Sequence, residues 1–226
     1  MVYPHLDALE GYPDSYSHPI LFITETGHRE AGGTAAGGDG VKWYLVRHGE
    51  IDSNLKKIYA GRNGEGLTEN GRRQARMMAE KLLPRGIKKI YCSPVARAVE
   101  TAEIIGGILG LRPVPAEAFK ELALGPWEGM SEAEVARNFP DAWLVWNTRP
   151  RELVLAGRET LGELLQRVLA GLESIQAQNG HRSVLVVTHV AIIRVLLLYW
   201  QARDLNLYKQ ILIPHGQIFH FEGSFP

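Results

Sequence analysis

The runs Val41 to Val46 and Ser183 to Val187 are short and apolar almost throughout. Such runs are characteristic of strands covered on both faces inside a parallel sheet. Lys88 to Cys92 reads as a further strand. The stretches between them follow helical spacing. After the first run, Thr68 can cap a helix that carries Ala75, Met78, Ala79 and Leu82 on one face. After the second strand, Ser93-Pro94 predicts an N-cap with proline at the first helical position. Val95, Ala98, Ala102, Ile105 and Leu109 then share a face. A long helix is expected from about Glu159, and another from Ala191 to Trp200. Ile211 to Ile213 and Gln217 to Phe221 read as a terminal hairpin around Pro214-His215-Gly216. Strands alternating with helices predict an α/β fold: a mainly parallel central sheet flanked by helices on both faces.

Residues 1–40 differ from the rest. They carry Pro4, Pro13 and Pro19 and end in the glycine-rich tract Gly32 to Gly38, which reads as a linker. They are expected to form an N-terminal extension to a catalytic domain spanning 41–226, with Ile20 to Ile23 as a candidate edge strand. The formal net charge is +0, so nothing global favours nucleic acid or an anionic membrane. No apolar run is long enough for a bilayer span. The single cysteine, Cys92, lies in an apolar run and reads as a buried structural thiol; a cytoplasmic monomer or homodimer is expected.

Ligands of such sheets bind at the carboxyl ends of the strands. Arg47-His48-Gly49-Glu50 follows the first strand, Ser93-Pro94 with Arg97 the second, and Thr188-His189 the Ser183 strand. Two histidines and two arginines thus converge on one edge, with Glu121 on a connecting segment. A phosphate monoester is a dianion whose transferring group spreads charge over three oxygens. Arginine forks match those oxygens, a neutral imidazole can attack phosphorus, and a second, protonated imidazole can stabilise the oxygens. A carboxylic acid can protonate the leaving oxygen. The arginines supply the charge that a metal would otherwise bring, so no metal or cofactor is expected. A zinc site on His48 and His189 lacks any short ligand spacing.

Several motifs together resemble the histidine phosphatase superfamily, also called phosphoglycerate mutase-like, over roughly residues 41–221. They are Arg47-His48-Gly49-Glu50 with Asn54; Ala60-Gly61-Arg62 followed by Leu67-Thr68; Tyr91-Cys92-Ser93-Pro94 with Arg97-Ala98; Glu121 before Gly125-Pro126-Trp127-Glu128-Gly129; and Thr188-His189 before Ile192-Ile193-Arg194. The resemblance implies that His48 is the nucleophile and that Arg47, Arg97 and His189 form the phosphate pocket. Asn54, Ala60 and Gly61 would lie against the substrate. Glu121 would be the general acid and base, with Glu50, Glu128 and Glu159 as alternatives. The sequence departs from the family at Val190 and Ala191, where glycines are frequent, and at Gly66, where proline is usual. The Gly-x-Trp-Glu-Gly form and short insert resemble the phosphatase branch.

The expected activity is hydrolysis of a small phosphorylated metabolite through a phosphohistidine. A mutase with the same chemistry and a non-catalytic phosphate-binding module are the alternatives. Trp127, Trp143 and Trp146 are read as core rather than cleft, and His215 as structural or surface.

Overall fold

The computed structural model describes residues 23–24, 41–179 and 182–223. In chain order the elements are β1 (Ile23–Thr24), β2 (Val41–Arg47), α1 (Asp52–Leu55), α2 (Glu69–Leu82), β3 (Lys89–Cys92), α3 (Ala96–Leu109), β4 (Pro113–Pro115), α4 (Glu132–Asn138), α5 (Pro140–Thr148), α6 (Leu161–Asn179), β5 (Ser183–Thr188), α7 (Val190–Trp200) and β6 (Ile218–Gly223). The sheet runs β1-β6-β2-β5-β3-β4. β2, β5, β3 and β4 are mutually parallel; β6 is antiparallel to β2, and β1 to β6.

Strand alternation divides the core in two. Trp43, Leu45, Val184 and Val186 face a layer containing α6 and α7; Tyr44, Val46, Leu185 and Val187 face α2 and α3. Helices therefore cover both faces, which is why β2 and β5 read as continuous apolar runs. Full burial of each such aliphatic side chain contributes roughly 1.5–3 kcal/mol.

Two expectations are corrected and one strand is added. Ile211 to Ile213 is not a strand, and no terminal hairpin forms; β6 pairs instead with β2, Trp43 opposite Phe221. The backbone carbonyls of Ile211 and Ile213 accept hydrogen bonds from Arg194 and Arg47 instead. Helix α3 begins at Ala96 behind Val95, so Ser93 is not its N-cap. An additional strand, β4, forms between Pro113 and Pro115, where proline is tolerated because the strand lies at the sheet edge. Of the candidate edge run, Ile23 lies in β1, while Ile20 to Phe22 and the glycine tract lie outside the described residues.

The loop leaving β2 crosses the first turn of α2 at very close range. A Cβ on Gly49 would overlap the carbonyl of Gly71, and one on Gly71 would overlap that of Glu50. Thr68 caps α2 by accepting from Gly71 N at 3.0 Å, which anchors that turn. Replacing Gly71 with alanine forces two backbone segments apart. A loss of about 1–3 kcal/mol is expected in urea unfolding, as for other overpacked sites. An unchanged midpoint would contradict the close approach.

Candidate active site

The parallel pairing of β2 with β5 sets Arg47 opposite Thr188. The residues that follow, His48 and His189, therefore leave adjacent strand ends. Their rings lie 5.2 Å apart between centroids. His48 N donates to Thr188 O at 2.9 Å, which continues the ladder one residue past the strand.

The tautomer of His48 follows from its partners. Gly49 O can only accept, so Nδ1, 2.7 Å away, carries the proton. Arg97 Nε donates to His48 Nε2 at 3.2 Å, which requires a lone pair there. Burial, followed by the charges of Arg97 and Arg47, holds His48 well below the ordinary histidine value. A neutral imidazole thus presents Nε2 to the cleft.

His189 is fully buried and stands behind the cleft surface. Ser93 Oγ accepts from Val95 N at 3.2 Å and lies 2.7 Å from His189 Nε2. The hydroxyl therefore anchors the ring through Nε2, and Nδ1 is the ring nitrogen turned away from Ser93. That Nδ1 has no hydrogen-bond partner; its nearest anion is Glu121 Oε2 at 4.0 Å. Burial and the same arginines press His189 toward the neutral form as well, so the expected imidazolium is not the state favoured here. Arg47 Nη1 donates to Ile213 O at 3.0 Å, while its buried Nε lacks a partner. Arg97 spans the site, donating through Nη2 to Gly61 O and through Nη1 to Asn63 O at 3.3 Å.

These groups edge a cleft of about 250 Å³ lined by Arg47, His48, Asn54, Ala60, Gly61, Arg97 and Glu121, among others. Asn54 Oδ1 accepts from Ile51 N at 3.3 Å, leaving its amide nitrogen for the cleft. Gly61 is engaged through its carbonyl, on Arg97. Among the described residues no group of three His, Cys, Asp or Glu side chains is placed to hold a metal ion.

The sequence profile of the histidine phosphatase superfamily (branch 1) matches residues 43–224. The chain is 36% identical over 169 residues to the uncharacterized phosphatase PhoE of Bacillus subtilis, covering 75% of this chain and 82% of that protein. It is 31% identical over 156 residues to phosphoserine phosphatase 1 of Hydrogenobacter thermophilus, covering 69% and 74%. Among solved structures, Bacillus stearothermophilus YhfR superposes with a TM-score of 0.74 at 29% identity, covering 78% of this chain and 87% of that one. The chain belongs to the histidine phosphatase superfamily and is a phosphatase.

In this histidine phosphatase the loop carboxylate is braced rather than free. Arg62 Nε and Arg167 Nη2 donate to the carbonyl of Glu121 at 2.8 and 3.3 Å. Both guanidiniums also pair with Glu159, Arg167 at 2.6 Å and Arg62 at 3.3 Å. The Glu121 carboxyl accepts Leu122 N at 2.8 Å, and burial raises its pKa despite Arg97 and Arg47. The alternatives are engaged elsewhere: Glu159 in this brace, Glu128 on Arg62 N and Glu50 on Thr68 Oγ1. None of the three lines the cleft.

Several site features were not read from the sequence. Ser93 carries His189; His215 Nδ1 donates to His48 O at 2.9 Å; Trp146, Arg194, Tyr208, Lys209 and Glu132 line the cleft. Trp127 is core, as read, but Trp146 serves both core and cleft. Cys92 is buried, with its thiol pushed up to about 11 by desolvation, as suits a structural role.

Nitrogen NMR of the imidazoles tests the tautomers. At neutral pH both His48 and His189 are expected neutral, His48 with its proton on Nδ1, and His48 should titrate only below the ordinary value of 6.5. A His48 imidazolium at neutral pH would contradict the hydrogen-bond assignment.

Proposed function

We propose that this phosphatase hydrolyses the monoester of a small phosphorylated metabolite, without a metal, through a phosphohistidine on His48. The observation that carries the reading is the unprotonated Nε2 of His48 at the cleft, beside Arg97, together with two buried nitrogens without partners, the donor Arg47 Nε and the ring nitrogen His189 Nδ1. Unpaired buried donors cost on the order of 1–3 kcal/mol each. The phosphoryl oxygens of a bound ester would satisfy them.

In the first step His48 Nε2 attacks phosphorus, the bond to the ester oxygen breaks, and Glu121 gives that oxygen its proton. Arg97 exchanges its Nε contact with His48 for a phosphoryl oxygen as the ester enters. Arg47 and His189 take the remaining oxygens; burial, then the neighbouring cations, keeps His189 neutral in the free enzyme, and the dianion offsets the second of these. In the second step Glu121, now ionised, takes a proton from the attacking water, the nitrogen–phosphorus bond breaks, and His48 is restored. Burial favours the protonated form of Glu121, as a general acid requires. Asn54 contributes its amide and Ala60 and Gly61 their backbone wall. Every residue used here lies beyond Val41, so 41–226 is taken as the catalytic domain and 1–40 as an extension to it.

His48→Ala is expected to abolish phosphate release while retaining the native circular dichroism spectrum. Activity in excess EDTA should be unchanged; a loss restored by a divalent ion would contradict the metal-free reading. Glu121→Gln should slow phosphoenzyme formation from an alkyl phosphate by about a hundred-fold or more. The same step with p-nitrophenyl phosphate should suffer much less, because nitrophenolate leaves unprotonated. Equal losses in that step, measured by rapid quench, would remove Glu121 as the acid.

A further inference from the structure

The cleft holds more positive charge than one phosphoryl group requires. Arg47 and Arg97 stand at the histidines. Arg194 and Lys209 line the same cleft beyond them. Val190, Ala191 and Arg194 share one face of α7, so the first turns of that helix form a wall of the cleft with the guanidinium on it. Lys209 comes from the 3-10 segment Leu205–Gln210, next to Tyr208.

Neither cation forms a close ion pair among the described residues. Arg194 Nε donates to Ile211 O at 2.8 Å, and its guanidinium lies 5.0 Å from the centre of the Tyr208 ring. Lys209 Nζ donates to Asn147 Oδ1 and lies 4.8 Å from the centre of the Trp143 ring. Among the described residues no carboxylate lies within 4.0 Å of either. Burial lowers the pKa of both Arg47 and Lys209 and Arg194 adds to the lowering, against Glu121 at Arg47 and Glu132 at Lys209.

One anion offsets this wall. Glu132 lines the cleft, accepting from Tyr59 Oη at 3.4 Å. Two cations against one carboxylate leave a single net positive charge, which matches a monoanion better than a second phosphate dianion. A guanidinium beside an ammonium suits a carboxylate, the first as a planar fork and the second as a point charge.

We infer that Arg194 and Lys209 form a specificity subsite for a carboxylate carried by the leaving group, so that the preferred substrates are phosphate esters of hydroxy acids. The inference rests on the phosphatase reading of the same cleft. The ester's phosphoryl end meets His48, and its acid end meets α7 and the Leu205–Gln210 segment.

Phosphoserine and phosphoethanolamine test it, because they differ only in the carboxylate. The wild-type protein is expected to favour phosphoserine by about ten-fold or more in kcat/KM, the discrimination one charge-assisted hydrogen bond supplies. Arg194→Gln and, separately, Lys209→Met should each shrink that ratio, chiefly by raising KM for phosphoserine. A wild-type ratio near one would overturn the subsite. So would a ratio that survives both substitutions. Equal losses on the two esters in Arg194→Gln would make Arg194 a phosphate ligand and overturn the assignment too. If the wild-type protein released phosphate from neither ester nor from p-nitrophenyl phosphate, the phosphatase reading itself would fail, and the inference with it.

Discussion

The hydrogen bond from His48 Nδ1 to the carbonyl of its own neighbour, Gly49, is the constraint on which the site depends. It fixes where the imidazole proton is and therefore which nitrogen can act. The loop after β2 passes so close to Gly71 that only a glycine fits at position 49. The register of β2 against β5 then brings His189 alongside. A one-residue slip would turn every side chain of β2 to the opposite face and separate the two histidines. Sheet pairing, a glycine crossing and one short hydrogen bond thus convert a strand end into a nucleophile.

The electrostatics follow from burial. Arg47, Arg97 and the two imidazoles share a poorly hydrated space, and desolvation is the largest influence on each. Arg47 falls to about 10 and remains cationic at neutral pH. The imidazoles give way first and stay neutral. Glu121 moves the other way because burial penalises its charged form. The site is therefore set before any ester binds: a neutral nucleophile, a carboxyl biased toward its acid form, and cations in need of an anion. Its loop carboxylate is held by the Arg62–Glu159–Arg167 brace, with Arg62 and Arg167 both donating to the Glu121 carbonyl.

What was legible in the sequence was what periodicity and strand ends reveal. β2 and β5 could be read because both of their faces are covered, and the positions of Arg47, His48, Arg97 and His189 followed from where strands end. Glu121 could be identified only through resemblance, since no periodicity locates a loop residue. Ser93 was misread because Ser-Pro usually opens a helix; here its hydroxyl holds His189 instead. Ile211 to Ile213 looked like a strand because it is a short apolar run beside Pro214-His215-Gly216, but two of its carbonyls serve arginines on other elements. Arg194 stood in the closing motif with no role of its own, and Lys209 in a 3-10 segment with no pattern. Their place in the cleft became visible only in the folded chain.

The central claim is that a neutral His48 attacks phosphorus through Nε2. Rapid alkaline quench of the enzyme mixed with radiolabelled phosphate ester, followed by peptide mapping at alkaline pH and phosphorus NMR of the labelled peptide, tests it most directly. The account predicts an acid-labile, base-stable phosphoramidate on Nε2 of His48 that forms and decays at rates consistent with turnover. Label on another residue, label on Nδ1, or turnover without any phosphoenzyme would contradict it.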